Sequence, residues 1–172
     1  MNTHRRDWCV PYVAAIIERQ HGDKRQLLIQ VRWKPQIDSV YSGTFEFVAG
    51  TMDAPYENVY DMLRREIKEE VGLTLKEVIN DSQTKIYTPR DDASFAFRPF
   101  CCTQQLKGGM PWVGFVFRCE VEDGEPVAQL EEVKDPAWMD VTEVKRLFES
   151  SPERFFTLEV AAWEYYFREI AL

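Results

Sequence analysis

The sequence is short of the residues that most nucleophilic and soft-metal sites require. Histidine occurs twice, as His4 near the N-terminus and His21 beside Gly22, so a Ser-His-Asp site or a histidine-rich zinc site has little material. Four cysteines, Cys9, Cys101, Cys102 and Cys119, form no C-x-x-C pair, and adjacent Cys101 and Cys102 would point to opposite faces of a strand. Free thiols are the expectation. No apolar run approaches the roughly 20 residues of a membrane span, and the basic start MNTHRRDW is followed by no signal-peptide core. A cytoplasmic protein without a membrane partner is expected. Gly/Ser-rich or Pro-rich linkers, repeats and low-complexity tracts are also missing, which predicts one domain over residues 1–172. Positive charge is in deficit: 21 Lys and Arg against 29 Asp and Glu leave a net charge of -8. That balance argues against nucleic-acid affinity, which rests mostly on neutralising phosphates with Lys and Arg. Carboxylate chemistry remains, and an anionic substrate would need a cation in order to approach.

What is present is concentrated between Gly50 and Leu73, GTMDAPYENVYDMLRREIKEEVGL. Asn58 is a good N-cap with Asp61 in the acidic position of a capping box, so a helix is predicted to start near Val59, and Gly72 supplies its stop. Val59, Leu63, Ile67 and Val71 recur every fourth position as an apolar stripe, while Glu66, Glu69 and Glu70 fall on an adjoining face. Like charges at these spacings cost a few tenths of a kcal/mol per pair. A divalent cation would remove that cost, and clustered oxygens without Cys or His suit Mg²⁺ or Mn²⁺. The plainer reading is a solvated face relieved by Arg65, paired with Asp61 and Glu69 one turn away on either side.

The wider pattern, Gly50 through Glu57 to Arg65-Glu66-Ile67-Lys68-Glu69-Glu70-Val71-Gly72-Leu73, closely resembles the signature box of the Nudix hydrolases. Six residues separate Gly50 from Glu57, one more than the family spacing, which puts an extra residue in the Ala54-Pro55-Tyr56 loop. From Glu57 onward each defined position matches. The resemblance implies metal-dependent hydrolysis of a nucleoside diphosphate linked to another group. Glu66, Glu69 and Glu70 would hold Mg²⁺ or Mn²⁺ near the Gly50 backbone, and Glu57 and Arg65 would orient the cluster through a salt bridge.

Flanking patterns outline the fold. Val10–Ile17 and Gln26–Arg32 read as a hairpin turned by the polar run from Glu18 to Asp23, and Thr44–Val48 as a strand delivering Ala49-Gly50. Strands near Leu75–Ile79 and up to Tyr87 follow. A long hairpin, 95–106 and 112–122, is predicted around Lys107-Gly108-Gly109, with Phe95, Phe97, Phe115 and Phe117 as core. The polar segment 125–136 reads as irregular. Helices are expected near 142–149 and from Ser151-Pro152 onward. The last carries the stripe Phe156, Val160, Trp163, Phe167 and Ile170, which must pack on the sheet or on a partner subunit in a homodimer. The expected class is α/β, a Nudix-like α/β/α sandwich with a mixed sheet between helices.

The substrate is a small nucleotide by the same resemblance. Glu46-Phe47-Val48-Ala49-Gly50 resembles the E-L-P-A-G of enzymes acting on ADP-ribose and other ADP-sugars, with Val48 in place of proline, and Tyr87-Thr88-Pro89 resembles their downstream proline. A triphosphate pyrophosphohydrolase is the alternative enzyme, and a non-catalytic nucleotide-binding or interaction module the alternative of another class. Glu66 is one candidate general base, and Glu131 or Glu132, ahead of Trp138, is another. Arg32, Trp33, Arg90 and Trp112 are candidate substrate contacts, with Lys34, Tyr41 and Arg98 beside them.

Overall fold

A computed structural model describes residues 9–109, 111–129 and 131–170. Its centre is β1 (Val10–His21), whose inner residues Val13 to Ile17 are almost wholly buried. A strand covered on both faces has no use for alternation, which explains the near-continuous apolar run. β1 turns at Gly22-Asp23 into β2 (Lys24–Arg32) and pairs with it antiparallel from Glu18↔Leu27 to His21↔Lys24. The polar run predicted as a turn is therefore mostly strand: Glu18 is buried in an ion pair with Arg118, which lets a charged residue occupy an interior position.

Beyond that short ladder β1 and β2 part, and the gap is filled from one segment. β3 (Phe45–Glu46) pairs with β2 at Gln30 and Val31, then β4 (Val48–Thr51) pairs with β1 from Ala15↔Val48 to Tyr12↔Thr51. The single strand predicted over Thr44–Val48 is two, with a change of partner at Phe47. Helix α1 (Val59–Val71) and then β5 (Leu75–Val78) follow. β6 (Cys101–Gln104) and β7 (Trp112–Val121) make the aromatic hairpin. β7 runs parallel to β1 from Val10↔Trp112 to Glu18↔Glu120, which makes the sheet mixed. β8 (Val133–Asp140) pairs with the outer edge of β2.

α2 (Val141–Ser150), a 3-10 turn at Pro152–Arg154 and α3 (Val160–Glu169) close the described chain. α1 covers one face of the sheet, with Val59, Leu63, Ile67 and Val71 packed on Val13, Ala15, Ile17 and Phe117. Each such fully buried aliphatic contributes about 1.5–3 kcal/mol, which holds the helix firmly. α2 and α3 cover the other face through Val141, Val144, Ala162, Trp163 and Tyr166. The α/β/α sandwich is as expected.

Several boundaries differ. Only Cys101–Gln104 of the predicted first hairpin arm is strand, and the predicted strand ending at Tyr87 is an exposed loop with isolated bridges Gln83↔Phe97 and Tyr87↔Ser94. β8 begins at Val133 inside the segment read as irregular, because ladder bonds to β2 compensate its poor β composition. The last helix begins at Val160, not at Ser151-Pro152. Phe156 instead donates its N–H to Phe45 O, and Trp163 and Tyr166 do the burying, on the sheet of the same chain. Cys9, Cys101, Cys102 and Cys119 are free. Among the described residues no helix is long and apolar enough to cross a membrane.

Candidate active site

α1 starts and stops where its local chemistry dictates. Asn58 Oδ1 accepts from Tyr60 N–H, and Gly72, at φ 73°, donates to Lys68 O in the left-handed conformation glycine tolerates. Asp61 pairs outward with Arg64 and takes no part in a capping box. Arg65 keeps the Glu69 partner that helix spacing suggested and has Glu57 and Glu66 in place of Asp61. Its Nε and Nη2 each lie 3.1 Å from a Glu57 oxygen, and its Nη1 lies 2.8 Å from Glu66 and 3.3 Å from Glu69. The extra loop residue is absorbed outside this arrangement. Tyr56 bulges fully into solvent at φ 65°, and Glu57 still reaches Arg65.

The three box glutamates are not equivalent. Glu69 remains half exposed beside Arg65, whereas Glu66 turns in toward β4 and Glu70 is buried at 8% exposure. Gly50 makes the inward turn of Glu66 feasible: a Cβ there would overlap the Glu66 carboxylate carbon and both its oxygens. Glu70 Oε2 accepts from Gln30 Nε2 at 2.7 Å. Gln30 is wholly buried and sits where the β2–β8 register shifts, between Ile29 and Val31, a local irregularity of the kind that re-aims a side chain. Its amide also donates to Phe47 O at 3.1 Å, while Gln30 Oε1 is buried without a protein partner.

Negative charge accumulates behind this cluster. Burial, then the neighbouring Glu46 carboxylate, pushes the Glu70 carboxyl up to about 8. Burial raises Glu46 to about 7 despite the guanidinium of Arg32, 3.1 Å away. Glu66 is raised by burial too, against the opposing pull of Arg65. A further carboxylate, which sequence reasoning did not single out, belongs to Glu159 just ahead of α3. It is 1% exposed, its Oε2 accepts from Phe47 N–H at 2.7 Å, and burial beside Glu46 and Glu70 drives it well above the ordinary carboxylate range. Phe47, between β3 and β4, takes its two backbone partners from side chains. A bare buried group there would cost about 1–3 kcal/mol. Glu159 stands ahead of the apolar run 160–163, which reads as ordinary helix core, and lies far along the chain from the box, so only its tertiary position marks it.

The remaining sequence-predicted residues separate into two groups. Arg32 is occupied by Asp38 and Glu46, with its guanidinium over Phe156, and Trp112 packs edge-on to Tyr12 at 5.9 Å within the second core. Arg90 lies exposed in the 83–97 loop at φ 60°, next to exposed Pro89. Trp33, by contrast, borders a cavity of about 640 Å³ together with Lys34, Ile37, Glu131, Glu132 and Lys134. Lys134 Nζ sits 3.3 Å from the Trp33 ring centre, and Lys34 Nζ pairs with Glu132 at 2.5 Å. The Lys34 charge also opposes the upward shift of the Glu46 and Glu70 carboxyls.

Among the described residues no three His, Cys, Asp or Glu side chains stand gathered around one point at ligating distance. The donor chemistry nevertheless fits a hard divalent cation. Glu66 and Glu70 are desolvated, mutually repelling oxygen donors, and Gly50 leaves the backbone open beside them.

A mixed sheet between helices, with a glutamate-rich helix set against a glycine at the end of a central strand, defines a Nudix-type pyrophosphohydrolase. The chain belongs to the NUDIX domain family, whose pattern it matches over residues 10–158. No curated protein sequence matches it. Solved structures with the same fold include a MutT protein from Methanosarcina mazei Go1, at TM-score 0.65 and 15% identity over 95% of this chain and 96% of that one. The NUDIX domain of Shewanella oneidensis NrtR, complexed with ADP ribose, aligns at TM-score 0.57 and 14% identity over 86% and 88%. A C. elegans Ap4A hydrolase aligns at 0.56 and 12% over 93% and 96%.

Proposed function

We propose that this protein hydrolyses a nucleoside diphosphate linked to a second group, with Mg²⁺ or Mn²⁺, and favours ADP-sugars such as ADP-ribose. The observation that carries the reading is the approach of the Glu66 carboxylate to the bare Cα of Gly50 with Glu70 buried alongside. Glu66, Glu69 and Glu70, with the Gly50 main chain, are the residues that would hold the cation. When bound, it would neutralise phosphate oxygens and acidify a water. Hydrolysis forms one bond from the water oxygen to phosphorus and breaks the bridging P–O bond, whose electron pair leaves with the departing phosphate. The water proton passes to a carboxylate within hydrogen-bond reach. Glu66 is one candidate for that role, and Glu131 and Glu132 at the cavity wall are the others. Arg65 holds Glu57 through a two-point fork that lysine lacks.

The cavity bordered by Trp33 supports a nucleotide with a second group attached. Trp33 offers a planar face, Lys34 and Lys134 offer cations in an otherwise acidic chain, and Glu131 and Glu132 offer acceptors for exocyclic amines. The preference for ADP-sugars rests on Glu46 to Gly50, and the NrtR domain complexed with ADP ribose shares the fold. Comparing kcat/KM for ADP-ribose, dATP, GTP and a dinucleoside polyphosphate tests this. ADP-ribose is expected to lead with AMP as product, and a triphosphate preferred by about tenfold would replace the ADP-sugar reading with a triphosphate pyrophosphohydrolase. The same assay on Glu131→Gln and Glu132→Gln tests the loop bases: a large loss of kcat in either assigns the base to that residue, and normal turnover in both leaves it to Glu66 or elsewhere.

A further inference from the structure

We infer that Glu159 is a positioning residue for the carboxylate site, acting from the C-terminal helix through Phe47. The family match ends at residue 158, so this side chain stands just beyond the segment that defines the family.

The argument begins with the backbone of Phe47. β3 is paired to β2 and β4 to β1, so the residue between them falls in neither ladder. Its ring is buried against Trp163, with centroids 4.2 Å apart, which fixes the residue at the handover. Glu159 Oε2 receives the Phe47 N–H at 2.7 Å, and Gln30 Nε2 donates to the Phe47 carbonyl at 3.1 Å and to Glu70 at 2.7 Å. A continuous chain of contacts therefore runs from Glu159 through the N–H and the C=O of Phe47, which belong to the two peptides flanking its Cα, to Gln30 and Glu70. Three residues after Phe47, in β4, lies Gly50, against which Glu66 rests.

Loss of the Glu159 acceptor would free the Phe47 backbone to shift at both of its flanking peptides, loosening the Gln30 amide that serves Phe47 O and Glu70 and displacing Gly50 relative to Glu66. α3 presents the carboxylate rigidly, because Trp163 N–H closes the first helical turn on Glu159 O at 2.9 Å. Glu159 is wholly buried and touches neither the cavity nor solvent, so it contacts no substrate.

This inference rests on the proposed function only for its catalytic readout. Glu159→Gln keeps an acceptor oxygen for Phe47 N–H, and Glu159→Leu does not. In Glu159→Leu the Phe47 amide, followed by NMR hydrogen exchange, is expected to lose protection. Mn²⁺ affinity, read by EPR of the free ion, is expected to fall about fivefold, and kcat about tenfold with KM changed little. Glu159→Gln is expected to restore all three to within about twofold of the parent. Should circular dichroism show the Leu variant unfolded, Glu159→Asp takes its place: retracting the carboxyl by one methylene is expected to shift the three readouts the same way. A folded Leu or Asp variant with parental Mn²⁺ affinity and kcat overturns the assignment, as does a Gln variant as impaired as Leu. A parent that hydrolyses no nucleoside diphosphate derivative defeats the proposed function alone, and the amide and Mn²⁺ readouts then decide the role of Glu159.

Discussion

Glu66 and Glu70 owe their chemistry to what surrounds them more than to their own type. Glu70→Gln preserves size and helix propensity while removing the negative charge a cation needs. It is expected to fold and to lose more than about tenfold in kcat/KM, or about 1.4 kcal/mol of transition-state stabilisation. Steady-state kinetics together with a thermal melt check both parts. Gly50→Ala should do comparable damage to activity at small cost in stability. The added methyl group meets the movable end of Glu66, so the carboxylate gives way and the fold does not. Buried acids also set the pH response. Glu46 is raised from 4.5 to about 7, so between those values the folded protein binds a proton that the unfolded chain has released. Stability is then fullest below pH 4.5 with respect to this group and is lost as pH rises toward 7. Glu66, Glu70 and Glu159 act in the same direction, while Asp140, lowered by Lys24, works only in the more acid range. Metal-free protein is expected to show a Tm that declines from about pH 5 to 8, and Glu46→Gln a shallower decline; calorimetry in EDTA showing a rising Tm would contradict this.

At the level of elements, α1 is the part whose sequence and structure agree most fully, because its determinants are local. The Asn58 cap, the four-residue apolar stripe and the Gly72 stop each act within a turn or two. Asn58→Ala is expected to cost about 1 kcal/mol, read as a lowered denaturant midpoint with an unchanged m-value. Arg65→Lys keeps the charge and loses the two-point grip on Glu57, so kcat should fall while the helix stays intact by circular dichroism. The C-terminal segment was less legible. Ser151-Pro152 carries the chemistry of a helix start, yet only a 3-10 turn forms there. Phe155 is drawn into the core beside Phe45 and Phe148, and Phe156 bonds to Phe45 O, before a helix can continue. Tertiary packing overrode a sound local signal at that point. The strand predicted up to Tyr87 failed for the opposite reason: its residues lie exposed with few backbone partners, and propensity alone does not sustain a ladder.

For the molecule as a whole, charge shapes the encounter with substrate. A net charge of -8 repels anionic nucleotides, Lys34 and Lys134 offset that repulsion only near the cavity, and a divalent cation held by the box would offset it there. At saturating Mg²⁺, kcat/KM is therefore expected to rise as ionic strength increases from about 20 to 150 mM, since screening weakens the long-range repulsion. Stopped-flow or initial-rate measurements across a salt series check this, and a steep fall would show that local attraction dominates. Activity should vanish on EDTA treatment and return with Mg²⁺ or Mn²⁺.

By itself the sequence determined the glutamate-rich helix, the glycine before it, the Glu57–Arg65 pairing that its resemblance implied, and the sandwich class. These follow from spacing along one element or from a run of residues read in register. Only the tertiary structure decided that Glu70 is buried and Glu69 is half exposed, since the two are neighbours on one helix and differ by which side the sheet covers. It alone decided that Arg32 and Trp112 serve the scaffold while Trp33 borders the cavity. It alone brought Gln30, Phe47 and Glu159 into one hydrogen-bonded chain with Glu70. Those contacts join residues from four separate segments. No periodicity within a segment encodes such an encounter, because it arises where strands part and the backbone groups left between them must find partners.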